Sequence, residues 1–272
     1  MLTKNYTIIS LYSSVFLVIG LLTAYFPLWL NQSLKLETKY IGYILSLSGI
    51  LKVFFTLTIT TLIKNNNYFR PFLLSIIFVS ITLFLTIYSF KDTLPFYCIF
   101  LMVIFFLITF SPILPFLETL YSSTVKKPLK KYGKIRVSGS LAFCVSVFFF
   151  GYVISIFSIT IFPIILVACL IMLCISIAMI STKIRVQKYN TIKDYKNVFK
   201  KKNKNLLIFI IICSMLQATH AMYYGYSTIM WESKGLSFFK VGLLWSMAIA
   251  AEIILFLKLD RYFKSKFLFK TL

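Results

Sequence analysis

Long uncharged apolar runs, separated by short basic segments, set the pattern of this chain. A bilayer-spanning helix needs about 20 mainly apolar residues. Residues 5–34 contain no Asp, Glu, Lys or Arg and supply a first span. A second covers 41–63, interrupted only by Lys52, a third 71–90 and a fourth 96–117. The stretch 137–182 holds 46 uncharged residues. As one helix it would be roughly 69 Å long at about 1.5 Å per residue, thicker than any membrane. It therefore folds as two spans with a turn near 158–163. Residues 206–230 and 241–256 complete a total of eight. The fold class is all-α, a polytopic membrane protein. A β-barrel is excluded, because its strands alternate apolar and polar residues with a period of two, and these runs are continuous.

Lys and Arg orient the helices. With the N-terminus in the cytoplasm, 23 of the 29 Lys and Arg fall in cytoplasmic segments and five in outer loops, with Lys52 inside the membrane. Cytoplasmic loops carry the excess of positive charge. Both termini are then cytoplasmic and the chain sits in the inner (plasma) membrane. The first apolar run is too long for the core of a cleaved signal peptide and lacks a small-x-small exit.

Composition sharpens this reading. Of 272 residues, 60% are hydrophobic and 13% charged, which excludes an ordinary soluble enzyme. The net charge of +22 could point to nucleic acid, but topology accounts for the basic clusters without such a partner. The expected partners are membrane lipids, a small-molecule substrate and protons. Cys98, Cys144, Cys169, Cys174 and Cys213 all lie within apolar runs without a CxxC pair, and read as reduced, buried small hydrophobes. No metal site, cofactor motif, phosphate loop, His-Glu-x-x-His or Gly-x-Ser-x-Gly is present, so an enzyme is not expected.

The longest hydrophilic segment follows six spans. Residues 1–182 form a six-helix bundle, 183–205 a basic cytoplasmic loop, and 206–272 a partial second bundle of two helices and a tail. Secondary transporters built of two parallel repeats have this layout. An internal repeat at an offset of 200 agrees with it. Ser33, Leu36, Gly42 and Ser46 match Ser233, Leu236, Gly242 and Ser246. A complete second bundle would need four more spans, so the expectation is a transporter chain truncated after its eighth helix. A second polypeptide or self-association would then supply the missing helices. The small residues Gly42, Ser46 and Gly49, with Gly242, Ser246 and Ala250, suit close helix packing. Trp29 and Trp231 fit the interfacial aromatic belt.

Two charges fall inside spans. Lys52 and Glu252 sit at equivalent repeat positions and hence at similar depth. Such a residue costs about 2.5–3.5 kcal/mol at the helix centre on insertion scales, so each needs a partner, a cavity or a role. Glu252 reads either as a proton-coupling or substrate-contacting carboxylate, or as one half of an ion pair locking helices together. In span 7, Gln217, His220 and Tyr224 share one helical face, with Tyr223 beside them. Lipid cannot satisfy such a stripe, which must face a cavity or other helices. Glu118, with Tyr132, Gly133, Lys134 and Arg136, lies at the cytoplasmic ends of spans 4 and 5. A structural salt bridge from Glu118 to Lys134 or Arg136 is the expected arrangement, at a candidate cytoplasmic gate.

Three segments resemble the major facilitator superfamily, in particular its 3-phenylpropionate permease and nucleoside/proton symporter-like branch. They are Tyr132-Gly133-Lys134-Ile135-Arg136 leading to Gly139-Ser140, Ser111-Pro112 followed by Pro115-Phe116-Leu117-Glu118, and His220 through Tyr224 to Trp245 and Glu252. Ser138 stands where the family usually has Trp. Lys64-Asn65-Asn66-Asn67-Tyr68-Phe69-Arg70 replaces the superfamily's Gly-x-x-x-Asp-Arg type loop after span 2. The resemblance implies a secondary active transporter, proton-coupled, importing a small organic solute such as an aromatic acid or nucleoside. The alternatives are a transport-inactive remnant or one piece of a split transporter, and behind them a membrane enzyme.

Overall fold

A computed structural model describes residues 4–62, 69–124, 128–180 and 204–262. The helices are α1 (Lys4–Ala24), α2 (Phe26–Gln32), α3 (Thr38–Leu62), α4 (Phe69–Ser89), α5 (Phe96–Phe110), α6 (Ile113–Thr124), α7 (Pro128–Phe157), α8 (Phe162–Ala178), α9 (Lys204–Ser233) and α10 (Phe238–Tyr262). Among the described residues there is no strand, and eight helical stretches are long and apolar enough to cross a membrane. They correspond to the eight expected spans. The central basic loop of 183–203 lies outside the described residues.

Two spans are broken where the sequence places proline. Span 1 divides at Tyr25 into α1 and α2, with Pro27 in the first turn of α2. Span 4 divides at Ser111-Pro112 into α5 and α6, because Pro112 has no N–H to continue the ladder. Between spans 5 and 6 the expected turn forms at Ser158, whose φ is 65°, followed by a 3-10 turn over Ile159–Ile161.

Helix α7 is the axis of the bundle, packed on α1 on one side and α10 on the other. Small residues permit both contacts. Gly139 lies against the Phe16 ring, Gly20 against Ser146, and Gly151 within 3.3 Å of the Gly242 Cα when a Cβ is placed on it. Ser146 Oγ donates to the Leu17 carbonyl at 2.8 Å. Phe26, Trp29, Phe84, Phe106 and Phe162 stack into one buried aromatic core, with ring centroids 5.3–6.4 Å apart. Trp29 is 1% exposed, so it belongs to that core and not to an interfacial belt.

The repeat is visible in backbone geometry. Helices α3 and α10 begin at Thr38 and Phe238, and each is preceded by a left-handed residue, Lys35 (φ 53°) and Gly235 (φ 80°). By contrast, α9 is nearly unpacked along its first half, where residues 207–222 are all exposed. Cys98 and Cys213 are also exposed, and only Cys169 is fully buried. An apolar membrane surface accommodates a thiol without protein burial. Gly49 has open space beside it and Ala250 is exposed, so neither mediates the close packing expected of them.

Candidate functional site

Three helices converge on Glu252. From α7, Arg136, Ser140 and Phe143 rise on one helical face at spacings of four and three residues. From α10, Trp245 and Glu252 share a face two turns apart. Arg136 Nη2 lies 3.9 Å from Glu252 Oε1, and Ser140 Oγ donates to the same oxygen at 3.5 Å. The guanidinium also sits 4.3 Å over the Phe16 ring of α1. The Arg136 and Glu252 side chains are 22% and 34% exposed. The pair is thus held by protein on one side and open on the other.

Helix α9 supplies an aromatic wall to the same place. Trp245 is buried, and its Nε1 donates to Thr228 Oγ1 at 3.0 Å. Tyr224 stacks on it with centroids 5.9 Å apart and planes 17° apart, and Tyr223 lies at 4.7 Å. Phe143 and Trp231 close the cluster at 6.5 and 6.3 Å from Trp245. His220 lies 5.6 Å from Tyr224, and its Nδ1 is 2.9 Å from the Leu216 carbonyl of its own helix.

The structure therefore joins Arg136, Glu252, Tyr223, Tyr224 and His220 of the expected residues. Gln217 lies one turn below His220 and is exposed. Lys52 stands apart from the cluster on α3, exposed and with no ion-pair partner among the described residues. Arg136 meets the Glu252 carboxylate, while Lys134, the other partner expected for Glu118, has its side chain outside the described residues. Glu118 is half-buried on α6, seven residues beyond the Ser111 break, whereas α10 lies directly along α7. Gly133 is half-buried on α7, and the side chains of Tyr132 and Lys134 lie outside the described residues. Sequence reasoning missed Ser140, Phe143, Trp245 and Phe16 as site members. Ser140 and Trp245 stand within the motifs quoted above, and Phe143 follows Ser140 by three residues, on the same face as Arg136. Phe16 gave no signal, being one aromatic in an apolar run.

A carboxylate beside a guanidinium, open to one side and flanked by aromatic faces, can exchange partners. Protonating Glu252 removes its charge and frees the guanidinium, and the neighbouring aromatic faces suit contact with a flat apolar group. Among the described residues no three His, Cys, Asp or Glu side chains gather to hold a metal ion.

The MFS_1 like family matches residues 6–266 of the chain. The chain is 27% identical over 169 residues to the probable 3-phenylpropionic acid transporter of Escherichia coli (strain K12). That alignment covers 60% of this chain and 44% of the relative, so the chain spans less than half the length of the relative it matches. No solved structure matches the chain significantly.

Proposed function

This chain belongs to the MFS_1 like family of membrane transporters, and on that premise we propose that it serves proton-coupled import of a small organic solute, an aromatic acid or a nucleoside. The single observation that carries this reading is the Arg136–Glu252 pair, a titratable ion pair inside spans and partly open. Glu252 takes the coupling proton. Arg136 pairs with the carboxylate, with Ser140 donating to it from α7 and Tyr224 and His220 contributed by α9. Substrate rests against Tyr223 and Tyr224, with Trp245 buried behind them. The relative is named for 3-phenylpropionic acid, an aromatic ring on a short carboxylate arm, which suits such a wall.

Orientation in the plasma membrane follows the distribution of Lys and Arg, with both termini cytoplasmic. The Lys35 and Gly235 loops are then outside, where α2, α3, α9 and α10 meet. The exposed first half of α9 is then at the cytoplasmic end. Gln217 and His220 on that exposed stretch favour one addition: further helices, from a second polypeptide or a second copy, cover α9 in the working assembly.

The test is proton-driven uptake of labelled 3-phenylpropionate and of a nucleoside into vesicles carrying the chain. Saturable uptake that collapses with the proton gradient, and that Glu252→Gln uncouples, is the expected result. Uptake by Glu252→Gln with unchanged proton dependence would sink the coupling role.

A further inference from the structure

Lys52 sits on the protein-facing side of its helix and is nevertheless exposed. At about 100° per residue, Ile44, Ser48, Ile59, Leu45, Thr56 and Gly49 fall on one arc of α3, and Lys52 lies near its centre. Ile44 and Ser48 are buried and the other four half-buried. The opposite arc, with Tyr43, Ile50, Phe54 and Leu57, is 59–65% exposed and meets lipid. The exposure of Lys52 therefore comes from a cleft inside the bundle.

That cleft has walls. Beside Lys52, a Cβ placed on Gly49 meets nothing within 4 Å. Toward the loop end, Gly42 touches the Tyr226 hydroxyl, and Leu45 Cδ1 is 3.2 Å from a Cβ placed on Gly225. Toward the other end, Thr56 Oγ1 and Ser111 Oγ close the gap to the α5–α6 break at 3.1 Å. The space lies between α3, span 4 and α9. The antiparallel pairing of Gly42 with Tyr226 and Leu45 with Gly225, continued along both helices, brings Lys52 level with Gln217.

Depth connects this cleft to the site already described. Lys52 and Glu252 each lie fourteen residues from the start of their helices, Thr38 and Phe238. That is about 21 Å along each axis. Among the described residues of this layer, Arg136 and Lys52 stand against one carboxylate, Glu252, which is taken by Arg136. Lys52 is the uncommitted cation.

We propose that Lys52 is the counter-ion of the substrate, binding the carboxylate of a small arylalkyl acid whose ring lies toward the Tyr224–Trp245 aromatics. The proposal rests on the transport reading above and decides between its two substrate classes in favour of the anion. An ammonium at this depth is costly without a partner, and a charge-assisted bond to a carboxylate supplies one. A neutral nucleoside does not.

Binding to the purified full chain in detergent tests this, read by quenching of tryptophan fluorescence. The probes are 3-phenylpropionate and its neutral isostere 3-phenylpropanamide. The acid should bind about tenfold tighter than the amide or better, the worth of one charge-assisted hydrogen bond. Lys52→Gln should abolish that preference while leaving amide affinity unchanged, and Lys52→Arg should keep it. Equal affinities in the native chain, a preference that survives Lys52→Gln, or no saturable response to the acid would each overturn the proposal. Acid-selective binding without proton-driven uptake would instead count against the coupling role of Glu252 and leave Lys52 as the anion site.

Discussion

The phenol of Tyr25 fills the notch left by Gly242. Its Oη lies 2.9 Å from where a Cβ on Gly242 would stand, and it donates to the Val147 carbonyl of α7 at 2.6 Å. Tyr226 makes the reciprocal contact, with its hydroxyl against Gly42 and donating to the Thr38 carbonyl at 3.3 Å. Tyr25 comes from span 1 and Gly242 from span 8, Tyr226 from span 7 and Gly42 from span 2. Each tyrosine ties the opening helix of one repeat to the second helix of the other, at the end carrying the Lys35 and Gly235 loops.

The two glycines should respond differently to a methyl group. At Gly242 it meets the backbone of Val147 and Phe148, which cannot yield without moving α7. At Gly42 it meets the far end of Tyr226, which can swing away. Gly242→Ala should destabilise by about 1–3 kcal/mol, the usual range for overpacking, and Gly42→Ala by less. Thermal unfolding in detergent gives the order; a lower Tm for Gly42→Ala would contradict it.

Removing either member of the Arg136–Glu252 pair leaves a charge in a partly closed site. Breaking a fully buried pair costs about 3–5 kcal/mol. With these side chains 22% and 34% exposed, about half of that is expected for Arg136→Gln or Glu252→Gln. The double substitution should cost less than the sum of the two. A double-mutant cycle by denaturant unfolding measures this, and strict additivity would mean that the pair is not coupled.

Trp245 and Trp231 share a cluster but not a burial state. Trp245→Phe removes a bond to Thr228 and leaves a gap in the core, whereas Trp231 is only half-buried. Trp245→Phe should lower stability by about 1–2 kcal/mol more than Trp231→Phe. Equal melting temperatures would show that the cluster is not packed as described.

Ser158 occupies a backbone region, φ 65° and ψ 172°, that only glycine enters without strain. Its side chain returns a weak bond from the Thr160 N–H at 3.5 Å. Ser158→Gly should therefore stabilise the turn between spans 5 and 6 by up to about 1 kcal/mol. A measured loss of stability would place the hydroxyl bond above the backbone strain.

Reporter fusions should place Lys91 and Gly235 outside and Lys130 inside. A cytoplasmic signal at Gly235 would invert spans 7 and 8 relative to the six before them.

The number of spans, their order and their repeat were legible in the sequence because each depends on local composition. Twenty apolar residues demand a helix in lipid wherever they stand, and Ser33 through Ser46 reappear at Ser233 through Ser246 with the same loop and helix start. Glu252 and Lys52 were likewise conspicuous, because a charge within a span has few innocuous explanations. Their partners were not legible. Glu252 lies far from Arg136 in sequence, and the antiparallel contact of α7 with α10 decides the pairing. Small residues at Gly151 and Gly242 allow that contact, and no periodicity in either helix announces it. Trp29 became core because its ring packs among Phe26 of its own helix, Phe84 and Phe162. Lys52 became a cleft residue because its neighbours around α3 are buried while it is not. Sequence determined what must lie in the membrane; only the packing of one helix face against another decided which polar groups meet there, since every apolar face offers lipid and protein the same surface.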